Sequence, residues 1–145
     1  MDFDPLISRG LLRKITPSKD LTEKELKESE ADLQESEKEF RAGGYKWGTI
    51  KAYYAMFHAA KALLFLMGLK ECSHFAVGEA LEVLSKEGKL ESIYVNDFKT
   101  AKMARENADY YYEYEEKTAK AILGPAQEFV KKMKFLQQKF SKKEQ

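Results

Sequence analysis

Cysteine is almost absent from this chain: Cys72 stands alone among 145 residues, so no intrachain disulfide can form. Nothing here argues for an oxidising compartment, and a cytoplasmic location is the expectation. Histidine is nearly as scarce. His58, His74 and Cys72 together fall short of the four ligands of an ordinary structural zinc site, so neither a metal nor a cofactor is expected. The opening Met1-Asp2-Phe3-Asp4-Pro5 carries two acids and lacks the basic start and apolar core of a signal peptide, which argues against export. A long uncharged apolar run is missing too. Residues 52–69 come nearest, but Lys61 sits near their middle, where a cation in a bilayer costs about 2.5–3.5 kcal/mol, so they read as a buried bundle helix. Charge of one sign is also lacking. The net charge of +1 gives no global attraction to nucleic acid, and any such attraction must come from local patches.

With three prolines and eight glycines, long stretches run uninterrupted, and in them apolar residues recur at three- and four-residue steps. No strand-like alternation and no internal repeat is evident. A chain of this length buries roughly two-thirds of its unfolded surface and forms one domain. The first long helix is expected from Thr22, with Glu25 completing a capping box, to Gly43-Gly44. Its heptad-spaced Leu26, Leu33 and Phe40, with Ser29 and Ser36 between them, imply a narrow buried stripe and an acidic outer face. The second, over 45–69, is the hydrophobic centre, with Tyr53, Met56, Phe57, Ala60, Leu63, Leu64 and Met67 on one face. Trp47, Tyr54, His58 and Phe65 line its far side. They are covered either by another helix of the chain or by a partner copy, which makes Trp47, Tyr54 and Phe65 candidates for a partner surface.

Ser73 caps a third helix that ends near Gly88, a fourth runs over 95–122, and Gly124-Pro125 separates it from a fifth carrying Phe129, Met133, Leu136 and Phe140. The fold class expected is all-α: an antiparallel up-and-down four-helix bundle with an additional C-terminal helix. Residues 1–18 form a lead-in with a short helical stretch around 6–15, residues 19–141 the bundle, and residues 142–145 a basic tail. Lys131, Lys132, Lys134, Lys139, Lys142 and Lys143 make that end basic against one acid, Glu144, either as a solvated face or as a phosphate-attracting arm.

The segment Tyr53-Tyr54-Ala55-Met56-Phe57-His58-Ala59-Ala60-Lys61-Ala62-Leu63 resembles the second helix of the HEPN family. Gly68, Ser73-His74, Val77, Arg105, Ala108-Asp109-Tyr110 and Phe129-Val130 extend the likeness over about 22–133. The resemblance implies a helical bundle, commonly a homodimer, that handles RNA or nucleotide. Active members cleave RNA with an arginine followed, after four to six residues, by a histidine. Here Arg105 is followed by Tyr110, Tyr111 and Tyr112 where that histidine would stand. A tyrosine with a pKa of about 10 is a poor replacement for a base that titrates near neutrality.

In one subgroup the arginine is followed at the fifth position by histidine and at the seventh by a tyrosine that a partner nucleotidyltransferase adenylates. Tyr110 and Tyr112 fall at those positions. Arg105 and Tyr112 would then share a helix face, while core packing beside Phe98, Ala101 and Ala108 is the alternative for Tyr112. Arg105 and Asp109 are the catalytic candidates, with a surface ion pair as the plainer reading. Tyr110, Tyr112, His58 and Lys102 are the binding candidates, with a packed histidine as the plainer reading of His58. Three functions follow as expectations: a homodimeric module beside a minimal nucleotidyltransferase, binding nucleotide or RNA with little cleavage; a metal-independent toxin-type ribonuclease using Arg105; or a structural helical adaptor.

Overall fold

In the computed structural model, which describes residues 2–143, Asp4 and Pro5 open a short helix, α1 (Asp4–Ser8), where a proline's missing N–H is no loss. The chain then enters a three-residue strand, β1 (Leu12–Lys14). Next come α2 (Lys19–Arg41), α3 (Tyr45–Leu66), strand β2 (Leu69–Glu71), α4 (His74–Lys86), α5 (Ser92–Tyr110) and α6 (Glu116–Lys143). The two strands pair antiparallel in the register Leu12 to Glu71 and Lys14 to Leu69. At three residues each they are too short to show alternation. The class is all-α, but six helices among the described residues correct the expected four-helix bundle with one additional C-terminal helix. Glu144, counted with the basic tail, and Met1 lie outside the described residues.

The short α1 supplies the sixth helix, and a second local choice moves a boundary without changing the number. The lead-in folds as α1 and β1, and Phe3, Leu6 and Leu12 are buried in the common core. The break expected at Gly124-Pro125 falls instead at 111–115, and α6 runs through Pro125. Gly124 has no Cβ to collide with the proline ring, which relaxes the usual restriction on the preceding residue. Ala119, Ile122, Ala126, Phe129, Val130, Met133, Leu136 and Phe140 form one unbroken buried stripe across the proline. The buried residues of α5 are Val95, Phe98, Ala101 and Ala108, and the tyrosines that follow are exposed. The helix stops there, with both Tyr111 and Glu113 donating backbone N–H to the Asn107 carbonyl.

Ser18, rather than Thr22, caps α2, its Oγ accepting from Leu21 N at 3.1 Å. Thr22 is buried instead and begins a heptad of hydroxyls. Thr22 Oγ1 shares its hydrogen between the Ser18 carbonyl at 2.8 Å and the Ala62 carbonyl of α3 at 3.2 Å, while Ser29 Oγ donates to Ala55 at 2.6 Å and Ser36 Oγ to Gly48 at 2.7 Å, both on α3. These small side chains let α2 and α3 approach closely, and each satisfies its own donor on a spare carbonyl lone pair. Leu26 and Leu33, expected to carry the stripe, are only half-buried. At Gly48 a Cβ would stand 2.8 Å from the Phe40 ring, so this crossing has no room for one.

Helix α3 is buried around most of its circumference and forms the centre of the molecule. Tyr53, Met56, Leu63 and Leu64 are fully enclosed, each side chain contributing about 1.5–3 kcal/mol by leaving water. Gly68 ends α3 at φ +76°, the left-handed C-terminal position, and turns the chain into β2. Ser73 caps α4 as expected, its Oγ accepting from Ala76 N at 3.1 Å. Among the described residues, no helix is long and apolar enough to cross a membrane.

Candidate phosphate-binding site

Arg105 lies more than one turn before the end of α5, with its side chain 12% exposed. One Nη2 hydrogen donates to the Tyr54 hydroxyl at 2.7 Å, and Asp109 Oδ2 stands 3.6 Å from the same nitrogen. The guanidinium carbon sits 5.2 Å from the Tyr54 ring centre, 5.3 Å from Tyr110 and 5.9 Å from Tyr53. Such cation–π contacts are worth about 0.5–2 kcal/mol each and hold the cation in place. Arg105 Nε is buried and has no hydrogen-bond partner among the described residues. An arginine so arranged suits an incoming anion, because a guanidinium matches phosphate oxygens better than any other side chain.

Helix α4 brings a second group to the same tyrosines. His74 is its first residue, set by the Ser73 cap, and its ring stacks on Phe57 at 4.3 Å and 15°. Its Nδ1 meets the Tyr53 hydroxyl at 2.8 Å. Burial pushes the Tyr53 phenol well above its ordinary range, so it keeps its proton. Burial, followed by the positive charges of Arg105 and Lys102, holds the His74 imidazole below its ordinary value. His74 was not among the site candidates read from the sequence. The Tyr53 and Phe57 rings, four residues apart on one face, were a visible platform, but which element crosses it is a tertiary fact.

The other candidates divide. Lys102, Arg105, Asp109 and Tyr110 share the C-terminal half of α5, with Lys102 Nζ pairing to Glu106 at 2.6 Å. Tyr54, proposed for a partner surface, is half-buried and turned toward Arg105. Phe65, its companion on that surface, is 4% exposed and lies inside the chain beneath Lys61. Trp47 is 51% exposed beside Lys46. Tyr112 is neither core nor on a face with Arg105: α5 has ended, its φ is +56°, it is 73% exposed, and Lys46 Nζ stands 5.2 Å from its ring. The expected continuation of the Phe98, Ala101 and Ala108 face fails because the helix does.

His58 faces α2, not α5. Its Nδ1 donates to Glu25 Oε2 at 2.6 Å and its Nε2 lies 3.6 Å from Asp32. Lys61 continues the network to Glu25 at 3.6 Å and Glu71 at 3.7 Å. Among the described residues no three His, Cys, Asp or Glu side chains gather so as to hold a metal ion.

An apolar cleft of about 280 Å³ opens beside the site between α4 and α5, lined by Phe75, Gly78, Phe98, Lys102, Met103 and Glu106. A cation held among aromatic rings next to such a cleft can hold a phosphate and shelter an attached planar group.

The domain family described as HEPN matches residues 22–136 of this chain. A UPF0332 protein from Archaeoglobus fulgidus is 34% identical over 117 residues, covering 79% of this chain and 94% of that protein. With most of its length matched and Arg105 set in the bundle wall, the chain belongs to the HEPN family.

Proposed function

We propose that this chain is a HEPN module that binds nucleotide or RNA through phosphate, acting in the cytoplasm as a homodimer beside a minimal nucleotidyltransferase, with RNA cleavage weak or absent. The observation that carries the binding is Arg105, fixed by Tyr54 and three tyrosine faces and keeping an unpaired Nε. Weak cleavage is supported by Tyr110, Tyr111 and Tyr112 standing where a histidine would follow the arginine. Exposed Trp47, Met103, Tyr111 and Tyr112 support a partner-covered surface.

Titrating the full chain with 5′-AMP and with a short single-stranded RNA tests the reading. Arg105→Ala is expected to weaken binding by about tenfold or more, since a charge-assisted hydrogen bond contributes about 1.5–3 kcal/mol. Equal binding by the variant overturns it, and light scattering reads the dimer independently. A second reading, toxin-type RNA cleavage, is favoured by one observation: the fold carries His74 to the tyrosines that hold Arg105. Cleavage at enzymatic rates by the wild type, lost in Arg105→Ala, would establish that reading over the first.

A further inference from the structure

The His74 ring has two distinct edges. Nδ1 faces the Tyr53 hydroxyl at 2.8 Å, and among the described residues Nε2 has no hydrogen-bond partner. Tyr53 is fully buried, and His74 Nδ1 is the one hydrogen-bond acceptor its hydroxyl meets among the described residues. A buried phenol that keeps its proton must place it on an acceptor, so the O–H donates to the Nδ1 lone pair. The neutral ring then carries its own proton on Nε2. Phe57 stacks against one face of the ring and fixes its plane. Tyr54, whose hydroxyl accepts from Arg105, meets the His74 ring edge-on at 6.0 Å.

We propose that His74, locked by Tyr53 as the neutral tautomer with hydrogen on Nε2, is a second hydrogen-bond donor to the phosphoryl oxygens held by Arg105. The inference rests on the phosphate-binding reading above and adds a ligand to it. His74 touches the phosphate and Tyr53 acts through it as a positioning residue. Burial first, and then the charges of Arg105 and Lys102 from α5 and Lys61 from α3, disfavour an imidazolium, and Glu106 opposes them. The chemical consequence is specific. With its Nδ1 lone pair occupied and Nε2 protonated, the imidazole offers the ligand a proton donor and no free base. A histidine beside the arginine is thereby compatible with holding a phosphate without activating a nucleophile against it.

The ligand chemistry is an anionic phosphoryl group, from a terminal monoester or an internal diester. Full-length protein is titrated with 5′-AMP and, separately, with a short oligouridylate lacking terminal phosphates, which distinguishes the two sources. His74→Gln places an amide N–H near the position of Nε2–H and is expected to bind within about threefold of wild type. His74→Leu is expected to lose about tenfold, the range of one hydrogen bond. Long-range ¹H–¹⁵N spectra read the tautomer directly, since the chain has two histidines and His58→Gln assigns them. Hydrogen on Nε2 is expected in the wild type, with a tautomer mixture in Tyr53→Phe, and circular dichroism checks that each variant is folded. Hydrogen on Nδ1, wild-type affinity in His74→Leu, or equal losses in His74→Gln and His74→Leu would each overturn the proposal. Binding that depends on Arg105 but ignores His74→Leu overturns this inference alone; no binding of either probe by the wild type overturns the phosphate reading with it.

Discussion

Removing one oxygen, in Tyr53→Phe, leaves core volume almost unchanged but takes away the hydroxyl that meets His74 Nδ1. The loss is expected to cost about 0.5–1.5 kcal/mol in urea unfolding, the net worth of a single hydrogen bond. A loss of 3 kcal/mol or more, on the scale of about one large core truncation, would mean the ring itself had shifted. At this scale the sequence was half legible. Arg105 and the replacement of its following histidine by tyrosines were on the surface of the text. His58 and His74 were equally visible, yet only tertiary packing decides which of the two is hydrogen-bonded to a tyrosine beside the arginine. His58 sits four residues after Tyr54 on the same helix and still faces Glu25 on α2, because α3 is flanked on both sides. His74 is 31 positions before Arg105 and reaches its tyrosines through the Ser73 cap.

Helix boundaries show where local signals lose to packing. Gly124-Pro125 is a strong local stop, but the apolar stripe of α6 passes straight through it, and the stripe decides. A proline inside a helix still forfeits a hydrogen bond. Pro125→Ala is therefore expected to stabilise the protein by about 1–2 kcal/mol, below the full interior penalty because proline also stiffens the unfolded chain. Thermal unfolding measures it, and a lowered Tm would mean that the proline geometry is itself required. The α2 and α3 crossing was hidden for a different reason. Thr22 reads as a helix cap, and Ser29 and Ser36 as interruptions that narrow a leucine stripe, whereas in the fold their hydroxyls bond to α3 carbonyls at zero to slight exposure. Gly48→Ala drives a methyl into the Phe40 ring and is expected to cost about 1–3 kcal/mol, read by urea denaturation. An unchanged midpoint would show that Phe40, at the end of α2, swings aside.

For the whole molecule, pH acts through the carboxylates around His58 and Lys61. Burial pushes Glu71 above its ordinary 4.5, Lys61 only partly opposing it, and its side chain is 7% exposed. A raised carboxyl stabilises the fold below its unfolded value and loses that contribution as pH rises through the folded one. Glu71→Gln is thus expected to raise Tm at pH 7, with the gain shrinking toward pH 4. Glu25 behaves oppositely. Burial pushes it up, but the His58 hydrogen bond and the Lys61 charge outweigh burial and hold it below 4.5, so its contribution is present above that value and fades as pH falls. Glu25→Gln should lower Tm at pH 7 and matter less in acid, and parallel shifts at both pH values would refute the pairing. The small β1 and β2 ribbon carries a last implication. It stitches residues before the family-matched segment to the stretch that leads directly into Ser73 and His74. A fragment starting at Lys19 would bare the edge of β2 and strip Phe3, Leu6 and Leu12 from the core. The stretch that looks like a dispensable leader is in this sense the anchor rope of the imidazole, and trimming it should slacken the seat of His74 against Tyr53 before it melts the bundle.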